Sequence, residues 1–184
     1  MRLFVALPLP PEVLAQLDAA LVAVRADHPE PRWVPAQRWH LTLAFLGEVE
    51  ERAVPELGER LARAAARRGP LELALAGAGR FGSGVLWVGL TGEVGRLSRL
   101  AEAIAAAARR TGIEVEDRRF RPHLTVARGR AAAGRPADLR PAAAALAAYE
   151  GPGFRAGHVA LVRSVLGPQP AYTELAAWPL GAGD

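Results

Sequence analysis

A chain of 184 residues with 51% apolar residues can bury a sizeable core, and its length fits one domain or two small lobes sharing that core. It contains no cysteine, which excludes disulfides, thiolate metal sites and cysteine nucleophiles. It contains no lysine either, so all 23 basic residues are arginine, and with 19 acidic residues the net charge is +4.

The charge is unevenly spread. Residues 1–92 carry ten arginines against ten acids, and residues 93–184 carry thirteen against nine. Five arginines (118, 119, 121, 128 and 130) and no acid lie between Arg118 and Arg130. Such a patch suits an anionic partner such as phosphate or RNA, although a solvated arginine-rich loop would have the same composition. No apolar run is long enough to span a bilayer, and residues 1–10 lack a basic stretch followed by a long apolar segment. A soluble, cytoplasmic protein with no membrane association is expected.

In chain order, Met1 to Leu7 alternates and predicts a strand, broken by Pro8 and Pro10. Val13, Leu14, Leu17, Leu21 and Val24 recur at helical spacing and predict a helix over Pro11 to Arg25. A loop with a short extended piece at Trp33 and Val34 leads to a strand over His40 to Leu46, ended by Gly47. A helix over Pro55 to Arg67 stops at Gly69-Pro70. Strands over Leu71 to Ala76 and Val85 to Leu90 flank a glycine-rich loop, and a long helix over Gly92 to Arg110 ends at Gly112. A short strand over Leu124 to Ala127, a helix over Pro136 to Tyr149 and closing strands over Gly157 to Leu166 and Tyr172 to Trp178 complete the chain. The pattern predicts an α+β fold. Because helix, His-Leu-Thr strand and helix occur twice without a linker between, residues 1–184 read as one domain of two similar lobes.

Two of the four histidines open nearly the same phrase. His40-Leu41-Thr42-Leu43-Ala44 and His123-Leu124-Thr125-Val126-Ala127 agree at four of five positions, and 123 − 40 places them 83 residues apart. Residues i and i+2 of a strand share a face, so each strand offers an imidazole and a hydroxyl to one side and apolar residues to the other. If the two strands meet across a cleft, four polar groups surround one site. In-line attack on a phosphodiester needs a base on one side and an acid on the other, and imidazole serves both roles near neutral pH. The hydroxyls suit the non-bridging oxygens, where charge collects in the transition state. A lone histidine beside a threonine in a strand is ordinarily structural; the repetition is what points to chemistry. A metal site is the competing reading, but no carboxylate pair or cysteine is nearby and threonine is a poor zinc ligand. His28, at a helix end, and His158, in a strand without threonine at +2, read as structural or solvent-facing.

The paired His-x-Thr-x motifs resemble those of the 2H phosphoesterase superfamily. Met1-Arg2-Leu3-Phe4-Val5-Ala6-Leu7, Trp33-Val34-Pro35, Phe45-Leu46-Gly47, the stretch Phe120 to Arg128, and Ser164-Val165-Leu166 with Tyr172-Thr173-Glu174-Leu175 are similar to the RNA 2',3'-cyclic phosphodiesterase branch, the LigT-like or 2'-5' RNA ligase family. The resemblance implies a bilobal fold, with two pseudo-symmetric lobes of antiparallel sheet and outer helices around a central cleft. It implies hydrolysis of a terminal 2',3'-cyclic phosphate on RNA to a 2'-phosphomonoester, and a reverse 2'-5' ligation of RNA such as tRNA halves. By position it makes His40 the proton donor, His123 the proton acceptor, and Thr42 and Thr125 the phosphate-holding threonines, with no metal and no cofactor. Arg128 matches a substrate-binding arginine. At +5 from His123 it would point to the opposite face of a regular strand, so the strand must end or twist before it. Phe45, Phe120 and Trp39 are aromatic candidates for stacking a base; core packing is the expectation for Phe45, and Trp39 should face away from the histidine side. The turn Gly167-Pro168-Gln169-Pro170 departs from the family's glycine turn but lies away from the motifs. A monomer is expected. The alternative readings are the same chemistry on another small cyclic phosphate or a 2'-5' oligonucleotide, and a non-catalytic RNA-end binding module.

Overall fold

The structure, a computed structural model, describes residues 1–116, 119–130, 135–165, 167 and 171–181. Its strands are β1 (Arg2–Leu7), β2 (Arg32–Trp33), β3 (Leu41–Glu48), β4 (Leu71–Phe81), β5 (Val85–Gly92), β6 (Leu124–Arg128), β7 (Glu150–Ala156), β8 (His158–Val165) and β9 (Ala171–Pro179). Its helices are α1 (Pro11–Asp27), α2 (Val54–Ala66), α3 (Val94–Arg109) and α4 (Arg140–Ala145).

All the strand pairs among the described residues are antiparallel, and they join into one sheet in the order β7-β4-β5-β6-β3-β1-β8-β9, with β2 pairing β6. The order is itself pseudo-symmetric. Outward from the centre, β3, β1, β8 and β9 form one wing, and β6, β5, β4 and β7 form the other. The wings meet at a single pair, Leu41 opposite Leu124, immediately after the two motif histidines. They are not the two halves of the chain. The last strands, β8 and β9, complete the wing begun by β1, while β4 and β5, from mid-chain, build the other.

The core lies between the sheet and the helices. Leu41, Leu43, Leu124 and Val126 join Leu97, Leu100 and Ile104 of α3 in one buried apolar cluster. α1 enters it through Val13, Leu17, Leu21 and Val24, the spacing read from the sequence; Pro11 suits its first turn, where an amide hydrogen would go unused. α3 packs on β3 and against α2, α2 lies beneath β8 and β9, and α4 covers β4 and β5.

Three elements differ from expectation, each for a local reason. The helix expected over 136–149 forms only over Arg140–Ala145, and the chain then turns into a strand, β7. Glu150-Gly151-Pro152-Gly153 reads as a loop because proline lacks a ladder donor and glycine favours turns; β7 is an edge strand paired only with β4, where a missing donor is tolerated. β4 runs past the expected end at Ala76, through Gly77 and Gly79 to Phe81. Gly77 takes a φ of 65° at an irregularity between Leu75 and Ala78. A Cβ on Gly79 would stand 2.3 Å from the Trp87 ring, so only glycine lets that indole lie across β4. Leu166 and residues 168–170, which the sequence placed in a closing strand and a proline-rich turn, lie outside the described residues.

Candidate active site

The single pair Leu41–Leu124 sets the geometry. Continued by one residue each way, its antiparallel register puts Thr42 beside His123 and His40 beside Thr125. Directly opposed residues share a face of the sheet, so the four groups cluster on the side away from the leucines and α3. Thr42, Thr125 and both histidines are half-buried, while Leu41 and Leu124 are fully buried. Neither threonine hydroxyl is engaged in a hydrogen bond with another described residue.

Each ring is fixed in the same way. Nδ1 of His40 lies 2.8 Å from the carbonyl oxygen of Arg38, and Nδ1 of His123 lies 2.6 Å from that of Arg121. A carbonyl only accepts, so Nδ1 must carry the hydrogen and donate it. When the ring is neutral, Nε2 is then the bare lone pair; when it is charged, Nε2–H is a donor. A neutral histidine held so is ready to act as a base, and a charged one as an acid, through the same atom.

A β-bulge decides where Arg128 goes. Thr125 opposes Trp87 and Ala127 opposes Leu86, so Val126 is an extra residue and the alternation slips by one. Val126 and Ala127 are both buried in consequence, and Arg128, opposite Val85, returns to the face of Thr125. Its charge is felt at His40. The sequence objection to Arg128 is removed by this one inserted residue. β3 carries the same device: Thr42 opposes Ala6 and Ala44 opposes Val5, leaving Leu43 extra, so Phe45, opposite Phe4, shares the face of Thr42. Phe45 is therefore the pseudo-symmetric counterpart of Arg128. It is 49% exposed, which corrects the expectation of core packing. Trp39 lies in the buried apolar cluster with Leu41 and Leu43, on the side away from the histidines as expected, with its indole N–H donated to the Val34 carbonyl at 3.0 Å. Phe120 is half-buried against the core.

The surroundings of the two imidazoles differ. Phe4 stacks on His40 at 4.7 Å between centroids, and Tyr172 meets it edge-on at 5.3 Å. Burial under these rings lowers the His40 pKa to about 4; the Arg38 carbonyl partly opposes this, and the charges of Arg128 and His123 add to it. His123 meets the edge of Phe81 at 4.9 Å, with Trp87 behind Phe81 at 5.5 Å and the Arg121 guanidinium 5.9 Å over the Phe81 ring. Of the arginine-rich stretch, Arg119, Arg121, Arg128 and Arg130 are exposed, and Arg118 lies outside the described residues. Phe4, Phe81, Trp87 and Tyr172 were not legible as site residues, because nothing in their local pattern says which strands become neighbours. His28 caps α1, its carbonyl accepting from Trp33 Nε1, and His158 is exposed at the start of β8; neither joins the site. Among the described residues no three His, Asp or Glu side chains converge as a metal site would require.

Residues 8–168 match the family model described as the 2'-5' RNA ligase superfamily. The chain belongs to that superfamily. Of its relatives, the RNA 2',3'-cyclic phosphodiesterase of Geobacillus stearothermophilus is 33% identical over 98% of this chain, which spans 58% of that protein's length. The RNA 2',3'-cyclic phosphodiesterase of Thermus thermophilus is 39% identical over 98% of this chain and 90% of its own. The crystal structure of TT0787 of Thermus thermophilus superposes with a TM-score of 0.80 at 33% identity, covering 100% of both chains. The α+β fold, a curled antiparallel sheet backed by helices, is thus the fold of the 2'-5' RNA ligase superfamily. No helix among the described residues is long and apolar enough to cross a membrane.

Proposed function

We propose that this member of the superfamily is an RNA 2',3'-cyclic phosphodiesterase that opens the terminal cyclic phosphate to a 2'-phosphomonoester without a metal, working through His40 and His123. The observation that supports the reading is the pair Leu41–Leu124: continued by one residue each way, it sets His40 opposite Thr125 and Thr42 opposite His123 on one face. The relatives that match over nearly all of this chain bear that activity in their names.

His123 takes a proton from water through Nε2 as the water oxygen attacks phosphorus. The bond from phosphorus to the 3'-oxygen breaks, and His40 Nε2–H passes its proton to that oxygen. The product carries a 2'-phosphate and a 3'-hydroxyl. Thr42 and Thr125 donate their free hydroxyls to the non-bridging oxygens, and Arg128 holds the charge that collects there. With a 5'-hydroxyl in place of water as the attacking group, the same scheme joins two RNA ends, tRNA halves among them, by a 2'-5' bond. The chain works as a single domain and a monomer.

The acid role sets a condition on His40. With a pKa of about 4 it is neutral in the free protein at pH 7. An anionic phosphate beside it opposes the Arg128 charge and favours the imidazolium, so His40 takes up its proton as substrate binds. Phe45 and Tyr172, exposed at the rim of the same wing, give the adjoining base a surface to stack on.

The test is to incubate EDTA-treated protein with a short RNA ending in a 2',3'-cyclic phosphate and to locate the phosphate in the product. A 2'-phosphate is expected. A 3'-phosphate would reverse the leaving group, and no conversion of any cyclic phosphate would sink the reading.

A further inference from the structure

On the side of the molecule away from the histidines, α2 and α3 lie against each other and leave a groove of about 380 Å³. α3 covers the leucine face of β3, so this groove and the candidate active site open on opposite sides of the sheet. Arg60, Arg63, Arg67, Arg68 and Arg110 line it. Its floor is alanine, with Ala64 from one helix and Ala106 from the other, so guanidinium groups can converge without a bulky side chain between them.

Arginines at the ends of helices are ordinarily capping residues, and the charge count tests that explanation. Arg60 pairs with Glu56 at 2.7 Å and Arg63 with Glu59 at 3.6 Å. Arg67, Arg68 and Arg110 pair with no carboxylate among the described residues. They stand just past the C-termini of α2 and α3, whose dipoles supply about −0.5 charge each. Among the described residues, five guanidinium groups against two carboxylates and two helix ends leave an excess of about +2. The Nε of Arg68 is in addition buried with no hydrogen-bond partner among the described residues, a cost that a bound acceptor would remove.

We propose that this groove is a second RNA-binding site, which takes the phosphate backbone of a long substrate at a distance from its cyclic end. Among the described residues that line it there is no aromatic or large apolar anchor of the kind protein interfaces use, and its planar, forked donors suit phosphate oxygens. From Arg60 to Arg67 the wall runs about 10 Å at 1.5 Å per residue, the length of about three nucleotides at 3.4 Å each. The choice of RNA as the polyanion rests on the proposed activity; the excess charge does not.

The test compares the parent with a variant carrying Arg67→Gln, Arg68→Gln and Arg110→Gln, on a dinucleotide and on a long hairpin RNA, both ending in a 2',3'-cyclic phosphate. The dinucleotide should turn over unchanged, while KM for the hairpin rises about tenfold at low salt. The log–log salt slope of hairpin binding should fall by about 2, at about 0.7 per lost contact. The Arg→Lys triple variant should restore most of the salt slope. Hydrogen exchange on the parent, independent of any variant's folding, should show hairpin-dependent protection over residues 60–68 and 103–110. No protection there, or a Gln variant that binds the hairpin like the parent, overturns the second site. A parent that binds the hairpin in the groove yet hydrolyses neither RNA would overturn the activity and leave the groove standing.

Discussion

The segments that begin at His40 and His123 agree at four of five positions and share the same Nδ1-to-carbonyl hydrogen bond and the same bulge after threonine. Beyond the bulge the two strands part. At the position that re-enters the cleft, β3 has Phe45 and β6 has Arg128. His40 lies against Phe4 and Tyr172, whereas the Phe81 ring at His123 carries the Arg121 guanidinium over it. The repeated phrase and the pairing of Leu41 with Leu124 together put two imidazoles on one face. The surroundings favour a neutral His40 in the free protein, so the donor role proposed for it requires that ring to take up its proton when an anionic substrate binds.

The largest effect expected is from the histidines themselves. His40→Ala and His123→Ala should each lower turnover of a short cyclic-phosphate RNA at least about 10²-fold. Steady-state rates for both variants check this, and near-parent activity in either would break the two-histidine scheme. Next comes the pair after the bulges. Arg128→Ala should lower kcat/KM about tenfold, the size of one hydrogen bond to a charged group, whereas Phe45→Ala should act on KM alone by a few-fold. Equal effects in the two variants would remove the asymmetry between the wings.

The His40 titration sharpens the comparison further. Nitrogen-detected NMR should find the His40 imidazole losing its proton near pH 4 in the free protein, and at a higher pH once inorganic phosphate is bound. Arg128→Ala should raise the free-protein value too, since it removes a repelling charge. The lowered pKa also makes stability depend on pH. Between about 6.5 and about 4 the unfolded chain binds a proton that the native chain does not. Stability from this group is therefore full above about pH 6.5 and is lost as pH falls through that window. Chemical denaturation at pH 7 and pH 4.5, parent against His40→Gln, should show the parent losing more. The smallest effect is structural and confined to the other wing. Gly79→Ala should cost about 1–3 kcal/mol by pushing the Trp87 ring off β4, with the change in melting greater than the change in rate. Unaltered stability would show that the indole can shift freely.

Much of this site was legible along the chain. Two His-x-Thr phrases with period-2 alternation placed four polar groups on strand faces and the leucines on the other side, because side-chain direction in a strand is a local property. Helix α1 was read from spacing for the same reason. β7 was missed because its Gly-Pro-Gly composition argues for a loop, and only its place at the sheet edge makes a strand tolerable there. The return of Arg128 to the cleft depended on a slip in pairing with β5, which no spacing rule within β6 contains.

The sequence by itself determined the chemistry on offer: two imidazoles, two hydroxyls, an arginine-rich second half and an α+β pattern, all set by residue type and near-neighbour geometry. Only the tertiary structure decided what those groups face. It took the long-range register between β3 and β6 to bring the motifs together, β8 and β9 returning to β1 to carry Tyr172 to His40, and two bulges to aim Phe45 and Arg128. Those pairings join residues far apart in the chain, and their partners are chosen by the packing of the whole sheet on its helices.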